Sequence, residues 1–376
     1  MKKILIAPNA FKHSLSAIEV ANVIKSRLDL LGLNIKTEIA PMADGGDGTI
    51  DVINFYFKKS KFIECTVHDP LMRKIKSKWL LLDNETAVVE LAKASGLSLL
   101  NERELNPMWA NTFGTGELIL SALNKGCTKI ILTLGGSATV DAGGGILMAL
   151  GVKFFDKKKQ LVQAGGAYLS QVEKFDLSSI DKKLKRVKFD LLCDVRIPLI
   201  GEKGTVKNFS YQKGAKEGEI IVLEEGMKHF SKVTKDLLGC DCELEQMVGS
   251  AGGVAYGLKS FLGAELFIGF VYLASMIGLE EKIKNSDLII TGEGNLDSQT
   301  LLGKGVYELA KLANKYDKKV IVLCGDFDKT INWASHKISS VIQIKPDNLS
   351  LAESLKNTKN LIENVIKNDF KLFINC

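Results

Sequence analysis

The amino-acid sequence predicts an α/β protein of two domains. One is a doubly wound parallel sheet that is discontinuous in sequence, and the other is a mixed α/β domain inserted into it. Strand-like apolar runs alternate with helix-like runs in residues 1–60 and again in residues 284–376, an alternation typical of parallel sheets. Residues 61–283 begin instead with extended segments that have no long helix between them. The length of 376 residues, 46% of them hydrophobic, suits about two soluble domains.

The N-terminal part of the chain has the order strand, helix, strand, loop, helix. Residues 4–7 and 36–40 are the two apolar strand-like runs. Ser16 and Glu19 have the spacing of a capping box for the helix between those strands. A second helix is predicted over residues 49–56, directly after a loop rich in glycine and aspartate. This order is the expected start of a parallel sheet.

The insertion is predicted from a change of pattern and from a later return to the first pattern. Three partly alternating segments favour an antiparallel or mixed sheet, and they span residues 62–67, 74–82 and 87–91. The alternation of strands and helices then resumes, with strands predicted at 286–291, 319–324 and 338–344. We therefore expect residues 1–60 and 284–376 to form one domain and residues 61–283 the other.

The stretch 134–145, which reads LGGSATVDAGGG, joins a predicted buried strand to a predicted helix. Glycine lets the backbone approach a ligand closely, and N–H groups at the start of a helix attract anions. Gly135, Gly136, Ser137 and Thr139 are therefore candidate anion-binding residues. The alternative is a pair of packed glycine turns that bind no ligand.

Three loops are expected on one rim of the discontinuous domain, because ligands of such sheets bind beyond the carboxyl ends of the strands. The charged candidates on these loops are Lys12, Asp44, Asp47, Glu293 and Asp297. The aspartates have an alternative role in turns and helix caps, and a lone lysine is usually solvated. The glycine-rich loop of the inserted domain is expected to face this rim across a cleft.

Composition excludes several other classes of protein. The formal net charge of +6 comes from scattered lysines without a basic stripe, which argues against a nucleic-acid partner. Seven cysteines with no C-x-x-C pair argue against a zinc site and indicate a reducing cytoplasm. The N-terminus lacks the apolar core of a signal peptide, and no apolar run approaches the ~20 residues of a membrane span.

Several blocks of the sequence, in the same order along nearly the whole chain, resemble the glycerate kinase type-1 family. They read IAPNAFKHSLSA, PMADGGDGT, GGSATVDAGGGILMALG, CDV-x-x-PL-x-G, YQKGA, GSAGGVAYGL and TGEGNLDSQTLLGK. The resemblance implies ATP-dependent phosphorylation of D-glycerate, with 2-phosphoglycerate the favoured product. It also implies a flavodoxin-like outer domain and the use of ATP with Mg²⁺.

The resemblance assigns roles to the candidate residues. The ATP phosphates would be bound by Gly135, Gly136, Ser137, Thr139 and Lys213. The reaction would be carried by Asp194, which orients or deprotonates the glycerate hydroxyl, together with Lys12 and Asp44. Substrate contacts would come from Asp47, Glu293 and Asp297, and magnesium contacts from Asp44 and Asp141. Two departures from the family pattern stand out, because Arg196 and Asn295 occupy positions where aspartate and arginine are common.

Two other functions remain open at the level of sequence. A non-catalytic sensor of hydroxy acids or sugar acids would keep the cleft but could lose the carboxylates. A kinase of another small hydroxy acid would keep both the cleft and the carboxylates. A nicotinamide-linked dehydrogenase is disfavoured, because PNAFKH follows the first strand where G-x-G-x-x-G would be needed. The phosphorylated hydroxyl and the oligomeric state, a homo-oligomer included, are left open.

Overall fold

The computed structural model describes residues 1–32 and 34–374, which form a mixed α/β fold with parallel sheets. The strands are β1 (Lys2–Ile6), β2 (Ile35–Ile39), β3 (Lys61–His68), β4 (Lys74–Leu81), β5 (Thr86–Glu90), β6 (Lys129–Thr133), β7 (Lys153–Phe155), β8 (Lys174–Asp176), β9 (Lys188–Cys193), β10 (Glu265–Ile268), β11 (Leu288–Leu296), β12 (Lys319–Phe327) and β13 (Ser340–Gln343). The helices are α1 (Ala17–Asp29), α2 (Thr49–Tyr56), α3 (Ala92–Ser95), α4 (Phe113–Asn124), α5 (Gly144–Ala149), α6 (Thr205–Phe209), α7 (Glu217–Leu238), α8 (Ser250–Leu262), α9 (Gly269–Met276), α10 (Leu279–Lys284), α11 (Gly305–Asn314) and α12 (Leu351–Ile374). Short 3₁₀ helices lie between several of these elements.

The chain divides into two compact units. The first unit is Met1–Asp44 with the chain from Phe270 onward, and the second unit is Gly45–Gly269. The sequence prediction places the changes at residues 60 and 284 instead. The predicted domains stay a prediction, but the compact units show where the packing changes along the chain.

The first unit is built on a five-stranded sheet in the order β13-β12-β11-β1-β2, in which each neighbouring pair is parallel. Alternate residues of each strand face opposite sides. Ile4 and Ile6 of β1 join a core with α1 and α12, while Leu5 and Ala7 join a separate core with α10 and α11. The capping box predicted for α1 is present, since the Ser16 hydroxyl accepts from the Glu19 N–H and the Glu19 carboxylate accepts from the Ser16 N–H.

The second unit contains a six-stranded sheet in the order β10-β9-β6-β5-β4-β3. The pairs from β10 to β5 are parallel, and the pairs β5–β4 and β4–β3 are antiparallel. The mixed sheet predicted from the extended segments is therefore confirmed. This arrangement places the ends of β5, β6 and β9, with the loops that follow them, side by side.

Helix α2 belongs to the second unit because its N-terminus is tied to strand β5. The buried carboxylate of Glu90 accepts hydrogen bonds from the backbone N–H groups of Gly48 and Ile50, at 3.0 and 3.1 Å. A carboxylate at a helix N-terminus is favoured by the helix dipole and by the unpaired N–H groups there. The sequence order placed this helix with the first strands, whereas its hydrogen bonds place it with the second unit.

Several elements differ from their predicted form. The long helix α7 was not predicted, although its buried positions Leu223, Met227, Phe230 and Thr234 recur at helical spacing. Two short helices, α9 and α10, lead from the second unit to strand β11. Among the described residues, none of the helices combines the length and apolar character that crossing a bilayer requires.

Candidate active site

The glycine-rich loop after β6 packs against the start of the second unit. Gly135 lies so close to Gly46 that a Cβ on it would come within 2.6 Å of the Gly46 Cα. Gly136 has a left-handed backbone (φ +77°), and its Cβ position is 3.0 Å from a carboxylate oxygen of the exposed Asp47. The alternative of packed glycine turns therefore explains part of this motif. It does not explain the polar side chains that follow.

Lys213 brings a buried cation to this loop. Its side chain is 2% exposed, and its Nζ donates hydrogen bonds to the Ser137 Oγ at 2.8 Å and to the Thr139 carbonyl oxygen at 2.7 Å. Burial lowers the pKa of Lys213 to about 8, against the opposing effect of the charges on Asp194 and Asp141. Lysine has three N–H donors, so these two contacts leave one donor for an anion.

A cavity of about 60 Å³ lies beside this lysine. Four of the predicted residues line it together, namely Gly136, Ser137, Asp194 and Lys213. The remainder of the lining is Leu97, Leu134, Val195, Phe209, Gln212, Ala251 and Gly252. A cation, a hydroxyl and a half-buried carboxylate around one small polar space form a site suited to an anionic group.

One wall of the cavity is a turn whose role sequence reasoning missed. Ala251, Gly252 and Gly253 all have left-handed backbone angles, with φ values of 55°, 67° and 88°. A Cβ on Gly252 would come within 2.0 Å of the Thr139 carbonyl oxygen, so only glycine allows this approach. The consecutive small residues of the block GSAGG were the available signal for this close backbone approach.

Thr139 and Asp141, in the same glycine-rich loop, are both fully buried. The Thr139 hydroxyl has no hydrogen-bond partner among the described residues. The Asp141 carboxylate, in contrast, accepts hydrogen bonds from the N–H and hydroxyl of Thr112 and from the N–H groups of Gly143 and Gly145, at 2.8–3.1 Å. Burial raises the pKa of Asp141, and these hydrogen bonds oppose the rise. The contacts give Asp141 a structural part in holding the loop.

A second group of polar residues gathers at the strand ends of the first unit. The Asn9 amide donates to the Asp44 carboxylate at 3.0 Å, and the first residue of helix α11, Gly305, lies against both side chains. Glu293 on β11 accepts from the Thr300 hydroxyl at 3.0 Å. The loops predicted to share a rim, those after β1 and β2 and that at the end of β11, thus meet within this unit.

Glu293 is the buried member of this second group. Burial raises its pKa to about 7, while the charges of Lys304 and Lys12 and the hydrogen bond from Thr300 oppose the rise and the charge of Asp44 adds to it. Lys12 itself is exposed, and its backbone N–H lies 3.5 Å from the Cβ position of Gly294. Glu293 therefore titrates near neutral pH among groups of both charges.

Asp297 is occupied within its own loop. One oxygen accepts from the backbone N–H groups of Gln299 and Thr300, at 2.8 and 3.3 Å, and the other accepts from the Asn295 amide at 2.8 Å. These contacts are those of the capping role that the sequence left open. Asn295, one of the two departures from the family pattern, is thus a partner of Asp297.

No cluster of three or more metal-binding side chains occurs in the part of the chain that the structure describes. The six described cysteines are all free thiols, and Cys376 lies outside the described residues. Asn9, Thr300 and Lys304 were not predicted as site residues. A polar residue just beyond an apolar strand was the signal available for Asn9.

The fold and the site define a mixed α/β protein with parallel sheets, in which a buried lysine and a glycine-rich loop line a small cavity. The profile of the glycerate kinase family matches residues 4–373. The chain therefore belongs to the glycerate kinase family.

Individual relatives agree with this assignment. The chain is 38% identical to the glycerate 2-kinase of Escherichia coli K12 over 91% of its length and 90% of the relative. It is 36% identical to a glycerate kinase of Bacillus subtilis 168, over 96% and 95% of the two chains. A crystal structure of a protein assigned as glycerate kinase 2 from Salmonella typhimurium LT2 matches with a TM-score of 0.82 at 32% identity, covering 100% of this chain and 98% of that chain.

Proposed function

We propose that this protein transfers the γ-phosphoryl group of ATP to D-glycerate and that the favoured product is 2-phosphoglycerate. Family membership supports the substrate and the reaction class. The structural observation that carries the proposal is the buried Lys213 ammonium, bonded to Ser137 and lining a cavity with Asp194. Phosphoryl transfer depends on such fixed positive charge, because negative charge must be stabilised on the transferred group.

The donor phosphates are assigned to the second unit. Lys213 and Ser137 line the cavity, and the third N–H of Lys213 and the Ser137 hydroxyl can donate to a phosphate oxygen there. Gly135 and Gly136 allow the loop backbone to approach, and the unpartnered Thr139 hydroxyl is a further donor close behind. This assignment keeps all the residues predicted for ATP.

Asp194 is the proposed partner of the attacking hydroxyl. It follows β9, is half-buried, and lines the same cavity as Lys213. A carboxylate can orient a hydroxyl and accept its proton when it lies within hydrogen-bond reach. Its role beside the cation is therefore to direct the glycerate oxygen toward the phosphoryl group.

The polar group of the first unit is the proposed glycerate-binding and catalytic partner. Lys12 supplies a cation for the substrate carboxylate, and Asp44 and Glu293 supply acceptors for its hydroxyl groups. Asp47, in the second unit, and Asp297 stay predicted substrate contacts. Because Asp297 already accepts three hydrogen bonds, its proposed part is to hold the loop that bears Glu293.

Magnesium is proposed as the companion of ATP, and Asp44 fits that role better than Asp141. Mg²⁺ keeps several waters and commonly takes one or two carboxylates together with substrate phosphates. Asp44 accepts a hydrogen bond from the Asn9 amide and is only half-buried, so a hydrated ion can reach its carboxylate. The four donors around the fully buried Asp141 are neutral groups that a cation would have to displace. When bound, Mg²⁺ would neutralise charge on the donor phosphates.

Three further elements of the proposal are broader. The strand order of the first unit, counted within that unit, is 2-1-3-4-5, as in flavodoxin-like sheets. The same proposal includes two further points. The two polar groups face a common cleft, and the enzyme works in the cytoplasm.

The test is ADP release from Mg-ATP with and without D-glycerate, together with binding of D-glycerate by calorimetry. We expect release that depends on D-glycerate and falls at least about tenfold in kcat for Asp44→Asn, a loss of at least ~1.4 kcal/mol of transition-state stabilisation. Lactate and glycolate serve as competing hydroxy acids. Binding without turnover of any of these acids would favour the sensor and overturn the kinase.

A further inference from the structure

Two thiols meet in the loop that follows helix α7. The Sγ atoms of Cys240 and Cys242 are 3.2 Å apart. The hydroxyl of Ser260, on α8, donates toward the Cys240 Sγ at 3.4 Å and lies 3.7 Å from the Cys242 Sγ. The helix ends at Gly239 with a left-handed residue, which turns the chain so that both side chains point to α8.

The loop is held at several points, which keeps the thiols together. Lys235 pairs with Asp241, the residue between the two cysteines, at 2.7 Å. Farther along, the Glu243 carbonyl oxygen accepts from the Leu199 N–H at 2.9 Å. The conformation of the loop therefore holds the two sulfur atoms next to each other.

We infer that Cys240 and Cys242 form a reversible dithiol–disulfide site that is oxidised by hydroperoxides. A disulfide has an S–S bond of about 2.05 Å, so closing the bond requires the sulfur atoms to approach by roughly 1.2 Å. Side-chain rotation with a small loop adjustment can supply that movement. Nothing in this inference rests on the proposed kinase activity.

The order of the steps follows from exposure. Cys240 is half-buried and Cys242 is 3% exposed, so the peroxide meets Cys240 first. The Cys240 sulfur attacks a peroxide oxygen and breaks the O–O bond, which leaves a sulfenic acid and an alcohol or water. The Cys242 sulfur then displaces the sulfenic hydroxyl, and its proton leaves with that hydroxyl as water. Two thiols lose two electrons in all, and the peroxide gains them.

The same features predict that the bond is easily reduced. A disulfide through a single intervening residue closes a very short loop, so it adds little by restricting the unfolded chain. Strained disulfides have more oxidising potentials and are the labile ones. Burial raises the pKa of Cys242, which keeps it a thiol until the sulfenic acid forms beside it. The site therefore suits a reversible modification and not a permanent crosslink.

The test uses the full-length, fully reduced protein treated with an equimolar amount of hydrogen peroxide. Remaining thiols are then labelled with N-ethylmaleimide in denaturant, and peptides are analysed by mass spectrometry. We expect the peptide that contains Cys240 and Cys242 to be unlabelled and lighter by two hydrogen atoms, and dithiothreitol to restore both labels. Labelling of both cysteines while Cys65 or another thiol is oxidised would overturn the inference.

Two variants make the result specific. Cys65→Ser, which removes a half-buried thiol from strand β3, should form the Cys240–Cys242 bond to the same extent as the parent protein. Cys242→Ser should stop at the Cys240 sulfenic acid, which dimedone traps. A Cys242→Ser protein that folds but yields no trapped sulfenic acid contradicts the proposed order of steps. If that variant does not fold, peroxide-treated Cys240→Ser provides the second check, and Cys242 there should remain fully labelled.

Discussion

The proposed binding of the ATP phosphates depends on Lys213. A buried ammonium is costly unless it is hydrogen-bonded or paired. Here the Ser137 hydroxyl and the Thr139 carbonyl supply two acceptors, and the Asp194 and Asp141 carboxylates supply opposite charge. A cation kept in this position without a complete set of acceptors is arranged to receive an anion.

Replacing Lys213 by methionine is expected to lower kcat/KM for ATP by about 100-fold or more, a loss of ~2.7 kcal/mol. Methionine keeps much of the side-chain volume and removes the charge. Lys216→Met is the matched control, because Lys216 is an exposed lysine three positions along the same segment. Steady-state kinetics with saturating D-glycerate measure both variants. Equal losses in the two variants would remove Lys213 from the site.

The lowered pKa of Lys213 predicts a pH dependence of ATP use. As the pH rises through about 8, Lys213 loses its proton, and the attraction for anionic phosphate falls with it. We expect kcat/KM for ATP to decline above pH 8 in the parent enzyme. In Lys213→Arg any remaining activity should not show this decline, because arginine stays charged. The same alkaline decline in Lys213→Arg would assign the titration to another group.

The raised pKa of Glu293 predicts that the free energy of unfolding depends on pH. Its folded-state pKa of about 7 lies above the unfolded value of 4.5, so between these values the folded protein holds a proton that the unfolded chain has lost. This group's stabilising contribution is therefore fully present below pH 4.5 and is lost as the pH rises toward 7.

The matching variant is Glu293→Gln, which keeps an oxygen acceptor for Thr300 but cannot ionise. Relative to that of the parent protein, its free energy of unfolding should become larger between pH 5 and pH 8, by on the order of 1–3 kcal/mol, because only the parent loses stability in this range. Urea denaturation at the two pH values measures the difference. A constant difference would show that Glu293 does not titrate in this range.

From the sequence it was easier to predict which polar residues gather than to predict which contacts each of them makes, and their roles in binding and catalysis stay predictions. The blocks containing Ser137, Asp194 and Lys213 identified the residues that line one cavity. Asp141 and Asp297 could not be distinguished from ligand-binding carboxylates, because their hydrogen-bond partners come from chain folding around them. Ser137 and Lys213 are 76 positions apart in the sequence, so local sequence patterns cannot predict their hydrogen bond.

At the scale of elements, Glu90 holds helix α2 to the sheet of the second unit. We expect Glu90→Ala to lower the free energy of unfolding by about 2–4 kcal/mol, because two N–H groups at the start of α2 and the ammonium of Lys93 lose a buried partner. Glu64→Ala, at an exposed position on β3, should change it by less than about 0.5 kcal/mol. Chemical denaturation compares them, and a loss no larger for Glu90→Ala than for Glu64→Ala would contradict this role.

Elements with local signals were predicted well. Helix α1 was expected from its capping box, and α2 was predicted with the bounds that the structure has. Helix α7 was missed although its helical spacing was present in the sequence. The left-handed turn at Ala251–Gly253 was missed: its consecutive small residues allow such a turn, but the approach of Gly252 to Thr139 is a tertiary contact.

At the scale of the whole molecule, the sequence pattern and the packing place the boundaries between the two units at different residues. Sequence order suggested that α2 continues the first sheet, as the pattern of alternating strands and helices implies. The bonds from Gly48 and Ile50 to Glu90 assign that helix to the second unit instead. Such a contact between the first turn of a helix and a strand residue 40 positions away is set by tertiary packing. The alternation of strands and helices nevertheless predicted the mixed α/β class with parallel sheets.

The most direct test of the account is a ³¹P and ¹H NMR time course of the enzyme with Mg-ATP and D-glycerate. We expect the ATP signals to decline as ADP and one new phosphomonoester appear in equal amounts, with the phosphorus coupled to the single proton on carbon 2 of glycerate. Coupling to the carbon 3 protons would retain the kinase and overturn the favoured product. No phosphomonoester at all, with enzyme that binds D-glycerate, would contradict the central claim.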